Sequence, residues 1–180
     1  MTANIKNKFV KNIVEWAIAI VIALLVFLVL DNFVVKSARV EGSSMQPTFF
    51  HGDRVLVNRF VYLIGEPQIG DVIAFPYAAD PSNHYIKRII GMPGDVMDFA
   101  DGFIYRNGVR LDDEFSYMQI SPGTVIFPLI VESDAFFVLG DNRRISEDSR
   151  FVGVGNVPRH DIIGRVNFRW LPLNNFGFVE

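Results

Sequence analysis

The chain is 180 residues long, half of them hydrophobic, with 17 Lys+Arg against 20 Asp+Glu and no cysteine. That composition predicts one packed domain with at most an appendage, and it excludes disulfides, thiol nucleophiles, iron–sulfur clusters and thiolate zinc sites. Three scattered histidines leave little for a histidine-rich metal centre, and a net charge of −3 without a polybasic run argues against nucleic acid as a partner.

Charge is unevenly placed. Residues 1–36 hold Lys6, Lys8, Lys11 and Lys36 against Glu15 and Asp31, whereas the remaining body holds twelve Arg and a single lysine, Lys87. No polar residue interrupts the run from Trp16 to Leu30, and Ile13 and Val14 extend it past Glu15. An 18-residue helix at ~1.5 Å per residue spans ~27 Å, enough to cross a bilayer. The three lysines before it and Trp16 at its start put the N-terminus in the cytoplasm by the positive-inside rule. The organisation expected is a short cytoplasmic N-terminus (1–12), a transmembrane anchor (13–35) and an exported domain (36–180). A cleavable secretory signal fits less well, because no small-x-small site follows the run. A buried helix of a soluble protein fits less well still, because the run has no polar face.

After Lys36 helical periodicity gives way to short Val-, Ile-, Phe- and Tyr-rich runs between turn residues, the pattern of a mainly β domain. Strands are expected at Arg54–Asn58, Asp71–Phe75, Tyr85–Ile90, Asp95–Phe99, Thr124–Val131, Ala135–Leu139 and Ile162–Trp170. Phe103–Leu111 reads as a hairpin, since Asn107-Gly108 readily takes the positive φ angles of a type I′ turn. Residues 112–123 read as a surface excursion.

Three clusters carry chemistry. On a strand, Tyr85, Lys87 and Ile89 share one face and Ile86, Arg88 and Ile90 the other. A lysine with apolar neighbours loses basicity by desolvation and becomes a usable general base near neutral pH, which arginine cannot do. The competing reading of Lys87 is an edge-strand lysine in water. In Glu41–Thr48, Gly42 and Pro47 shape a turn that presents a serine, although a Ser-rich linker would look the same. Gly140–Arg150 is dense in polar groups. In an extended stretch Ser146, Asp148 and Arg150 share a face, against the alternative of a solvated loop.

Together, in this order and behind one anchor, these clusters resemble the bacterial type I signal peptidases, membrane-bound Ser/Lys endopeptidases. Ser44-Met45-Gln46-Pro47-Thr48 is similar to the family's serine box and Gly52–Asn58 to the next. Tyr85–Asp95 is similar to the lysine box, and Gly140-Asp141-Asn142-Arg143 with Ser146, Asp148, Ser149 and Arg150 to the last. The resemblance implies a mainly β, antiparallel catalytic domain of the signal-peptidase kind behind one N-terminal transmembrane helix. It makes Ser44 the nucleophile and Lys87 the general base. Ser146 matches the hydroxyl that orients the lysine, Asp148 and Arg150 match a supporting ion pair, and Arg88 is expected to pair with Asp141. The oxyanion would meet the Ser44 backbone N–H, with Gly42 able to offer only its backbone as a second donor. Arg144 and Ile145 depart from the usual Asp-Asn, and Phe151–Pro158 is longer than the usual Gly-x-Val-Pro ending.

The resemblance further implies exported preproteins and membrane lipid as partners, small residues one and three positions before the cut, and a site on the outer face of the cytoplasmic membrane. Neither cofactor nor metal is called for. Phe49 and Phe50 are expected to help the body dip into the interface. A Ser-His hydrolase is disfavoured because His84 points away from Lys87 on a strand. His51 and His160 lie in turns without metal-ligand spacing. The rival functions are a specialised relative processing a pilin-like or conjugation substrate, and an inactive membrane-tethered binding module.

Overall fold

The computed structural model describes residues 2–29 and 35–179. Helix α1 runs over Thr2–Val29, and its side chains from Lys11 to Val26 are all exposed. Between Lys11 and Val26, therefore, no apolar face of α1 is covered by the protein. Among the described residues no helix is long and apolar enough to cross a membrane. The side chains described in α1 end at Val26, although the apolar run continues in sequence to Leu30. The expected exit segment Asp31–Val34 lies outside the described residues, and Val35, placed in the anchor by sequence, is the first residue of strand β1.

The body is antiparallel throughout. In chain order its elements are β1 (Val35–Arg39), β2 (Arg54–Asn58), a short α2 (Val61–Ile64), β3 (Val72–Tyr77), β4 (Asp80–Gly91), β5 (Val96–Ala100), β6 (Phe103–Arg106), β7 (Val109–Arg110), β8 (Leu129–Ile130), β9 (Ala135–Leu139), β10 (Val157–Pro158), β11 (Gly164–Leu171) and β12 (Gly177–Phe178). The larger sheet has the order β1-β2-β11-β3-β4-β9-β10 with β12 on β11, and a smaller one has the order β7-β6-β5-β8. Ile90, Phe137 and Leu139 of the first pack on Met97, Ile104 and Val131 around the second, joining the two sheets through one apolar cluster.

Local chemistry explains most of these elements. The Asn107-Gly108 turn has φ of 52° and 77°, the paired positive values that a two-residue hairpin turn needs to match strand twist. The expected strand at Thr124–Val131 shrinks to β8. Thr124 and Val125 give their N–H groups to the Arg150 carbonyl (2.8 and 3.0 Å), Pro128 has no N–H to offer a ladder, and Ile126 is 87% exposed. Strand β4 starts earlier than expected, because Asp80 accepts from Ser82 and Asn83 and closes the β3–β4 hairpin across Pro81.

Two features decide where the site forms. Strand β4 lies inside the sheet, with Ile73 of β3 opposite Lys87 and Leu139 of β9 opposite Arg88, so Lys87 is not an edge-strand lysine. Strand β9 ends at Leu139, and the following polar loop therefore leaves the sheet beside Lys87.

Candidate active site

Ser44 sits in a tight turn between β1 and β2. Met45 and Phe49, 2% and 0% exposed, plug that turn into the core over β2, β3 and β11, while Phe49 N–H donates to the Met45 carbonyl (2.8 Å). Burial of Phe49 corrects the expectation that it faces the membrane; Phe50 alone is exposed. Arg169 of β11 reaches across to the Thr48 carbonyl (3.1 Å) and Asp53 (3.0 Å). Gly42 takes φ of 83°, a left-handed conformation open to glycine, and its N–H donates to His51 Nδ1 (3.2 Å). That N–H is thus committed to His51, and His51 braces the serine turn.

Lys87 is 3% exposed, and its Nζ lies 2.9 Å from Ser44 Oγ. It also lies 4.7 Å from the centre of the Tyr85 ring, the neighbour that strand alternation puts on the same face. Burial pushes the Lys87 ammonium down to about 8, against the opposing charges of Asp148, Glu147 and Asp141. Desolvation prevails because those carboxylates act at a distance while the amine has lost nearly all its water. A minor but usable fraction of Lys87, ~10 to 20%, is therefore neutral close to physiological pH, next to a hydroxyl whose proton it can accept.

The loop from Gly140 to Arg150 closes the site. It is a succession of turns, not the extended stretch that would place Ser146, Asp148 and Arg150 in a row. Their proximity comes instead from Arg150, 1% exposed. Its Nε and Nη2 bind the two oxygens of Asp148 (2.8 and 2.9 Å), and Nη2 also donates to the carbonyls of Arg143 (2.8 Å) and Ser146 (3.2 Å). Asp148 in turn accepts the Gly140 N–H (3.1 Å). Asn142 N–H donates to the Ser44 carbonyl (3.0 Å), tying the loop to the serine turn. Gly140 has no room for a side chain, since a Cβ there would strike the Ser44 carbonyl and Ser146 Oγ.

Ser146 Oγ is buried and has no hydrogen-bond partner, so the bond to Lys87 expected of it is not formed in this structure. Ser149 Oγ faces the sheet and accepts the Val138 N–H (2.9 Å). Arg88 and Asp141 do form the expected pair, through Nε to Oδ1 (2.9 Å) and Nη2 to Oδ2 (2.8 Å). Thr48 Oγ1 donates to the same carboxylate. Asp141 therefore links the serine turn to β4 one residue from Lys87.

Sequence reasoning missed the back wall. Phe115 is buried, with the guanidinium groups of Arg88 and Arg143 5.2 and 5.7 Å from its ring centre, and Asp113 binds Arg143 (2.6 Å). The segment 112–123 is thus partly packed behind the site and is not merely a surface excursion. A single apolar residue between Asp113, Glu114 and Ser116 carries no periodic signal that would announce this. His84 is exposed and lines the same cleft, but among the described residues its side chain makes no hydrogen bond to Ser44 or Lys87. Ser44 and Lys87 open on a cleft of about 790 Å³, floored by small and medium apolar side chains such as Ala38, Ala74, Ile86 and Ile163, with Ile145 and Glu147 on its rim.

Residues 13–171 match the family described as signal peptidase, peptidase S26. The chain belongs to that family. Among its relatives, signal peptidase I S of Bacillus subtilis is 37% identical over 95% of each chain, and signal peptidase IB of Staphylococcus aureus is 32% identical over 92% of this chain and 93% of the relative. A crystal structure of a signal peptidase I from Enterococcus faecalis is 32% identical, covering 57% of this chain and 97% of its own, with a TM-score of 0.47. Membership of the signal peptidase family makes this protein a serine-type endopeptidase, a hydrolase.

Proposed function

We propose that this protein cleaves N-terminal signal peptides from exported preproteins with Ser44 as nucleophile and Lys87 as general base. The observation that carries this reading is the 2.9 Å contact between Ser44 Oγ and a buried lysine amine whose proton affinity burial has lowered. Neutral Lys87 takes the Ser44 proton as Oγ attacks the scissile carbonyl; the lysine then gives that proton to the leaving amine, and the acyl-enzyme forms. Water, deprotonated by the same amine, attacks the ester and returns Ser44. The Ser44 N–H is the oxyanion donor in this scheme. The apolar floor around Ala38 and Ala74 suits small side chains on the acyl side of the cut. Incubating the purified protein with a preprotein in detergent, beside a Ser44→Ala control, tests the function directly: cleavage by the control or by neither protein rejects it.

The anchor belongs to the same reading. An apolar helix with every described side chain exposed needs lipid around it, since water would leave that surface unpaid by any burial. The span in this scheme starts at residue 13 and ends before Val35, which already pairs with Asn58 in the sheet; residues 1–12 are cytoplasmic, and the domain from β1 onward works on the outer face. Protease added to spheroplasts should then digest the body and spare the N-terminus; protection of the body would reverse the topology.

Ser146 is the positioning hydroxyl. A buried hydroxyl without a partner costs ~1 to 3 kcal/mol, which is tolerable where the group acts only once Lys87 moves. Ser146→Ala should therefore keep or raise Tm while lowering kcat by ~10 to 1,000-fold, because a misaimed base is costly in rate. Ser149→Ala should do the opposite, losing stability with its bond to Val138 while retaining most of its rate. Equal kcat in Ser146→Ala and wild type would remove Ser146 from the machinery.

A further inference from the structure

Glu147 has no part in the scheme above, yet it reaches the site through one side chain. Tyr85 donates its hydroxyl to Glu147 Oε2 (3.2 Å). The Tyr85 ring is stacked on Tyr77 with centres 4.5 Å apart and planes 9° from parallel, which fixes its orientation. The opposite end of the relay is the Lys87 amine, 4.7 Å from the same ring centre. A phenol that donates to a carboxylate carries more negative charge on its oxygen and ring, and an electron-richer ring face holds a cation more strongly.

We propose that Glu147 is a positioning residue that acts through Tyr85 to retain the proton on Lys87, and so sets the lower pH limit of cleavage. The inference rests on Lys87 being the general base.

The other two carboxylates that oppose the loss of the Lys87 proton are already committed. Asp141 is bound by Arg88 and Thr48, and Asp148 by Arg150. Among the described residues Glu147 makes no salt bridge, so its charge is not offset by a bound cation. Tyr77 comes from β3 and His84 from β4 itself. The serine turn contributes Glu41 to the same cleft, and Lys36, Arg39 and Arg59 line it too. Burial and Glu147 together push the Tyr85 phenol up to about 12, so the relay stays a neutral hydrogen-bond donor across the working range. Glu147 and the two other carboxylates oppose the desolvation that brings Lys87 to about 8.

The sign follows. A negative charge near an ammonium favours the protonated form, and cleavage needs the neutral form. Removing the Glu147 charge, which is exposed and reaches Lys87 across one aromatic ring, should move the acidic limb of kcat/KM to lower pH by about 0.5 to 1 unit. Well below the limb, Glu147→Gln should be about 3- to 10-fold faster than wild type, and above it equal. Glutamine keeps an acceptor for Tyr85 while losing the charge. Tyr85→Phe, which releases the carboxylate to solvent, should move the limb the same way by less.

Two readouts separate this inference from the reading beneath it. The chain has five lysines, so 13C-lysine NMR of the full-length protein in detergent, with Lys87→Met as the assignment control, follows Lys87 titration without using activity. A lowered midpoint in Glu147→Gln together with a lowered rate limb supports the proposal. A lowered midpoint with an unmoved limb shows that Lys87 is not the base and overturns both readings. An unmoved midpoint overturns the role of Glu147 alone and leaves the dyad standing.

Discussion

Ser44→Ala and Lys87→Ala should each bring preprotein cleavage down by about 10,000-fold or more, and the double variant should be no slower than either single one. If Ser44 is the nucleophile and Lys87 its base, as proposed, they work as one unit, so removing either forfeits what both supply, and only residual binding and oxyanion stabilisation remain. Lys87→Arg separates proton transfer from charge. Guanidinium stays protonated at any pH the fold survives, so Lys87→Arg should be as inactive as Lys87→Ala. Lys87→Met fills the same space without charge and should remain folded and inactive, because the lysine it replaces is 3% exposed. Rates of the four variants on one preprotein, each with a thermal melt as folding control, check the prediction. Turnover by Lys87→Arg within about 100-fold of wild type would sink the assignment of Lys87 as general base.

Much of this site was legible because its parts are local. Lys87 stood out as the body's only lysine among twelve arginines, and two-residue alternation put Tyr85 beside it without any structure. The Ala135–Leu139 strand and the Asn107-Gly108 turn were equally local, each set by a few neighbouring residues. What sequence did not carry is the way distant segments meet. Phe115 packs between Arg88 and Arg143, residues far from it in the chain and joined to it only by folding. The expectation for Ser146, Asp148 and Arg150 named the right pair for the wrong reason. Strand alternation would put the three in a row, whereas the segment turns, and the arginine collects the loop's carbonyls around itself. Side-chain bonds to backbone override local periodicity wherever a buried guanidinium must satisfy its five donors.

Loss of that arginine's carboxylate should be the most destabilising single change in the loop. Asp148 and Arg150 are 0% and 1% exposed, so Asp148→Ala leaves a cation in the interior with no counter-charge, and it also strands the Gly140 N–H that Asp148 accepts. Breaking one side of a buried pair costs ~3 to 5 kcal/mol. For a chain of this size that is a fall in Tm of about 6 to 20 °C. Arg150→Met should cost a similar amount by a different route, since the carbonyls of Ser121, Arg143 and Ser146 lose their donor. The double variant Asp148→Ala with Arg150→Met removes both charges and should be less destabilised than the sum of its parts, by ~1 to 3 kcal/mol of coupling. It should nonetheless stay slow below its melting temperature. The clamp sets the backbone of Ser146 and, through Gly140 and Asn142, the loop's grip on the Ser44 carbonyl, so kcat falls even in the folded fraction. Thermal unfolding of the three variants, with kcat measured about 15 °C below each midpoint, reads both effects. An Asp148→Ala protein that melts within about 2 °C of wild type would mean that water reaches Arg150 and that the pair does not hold the loop.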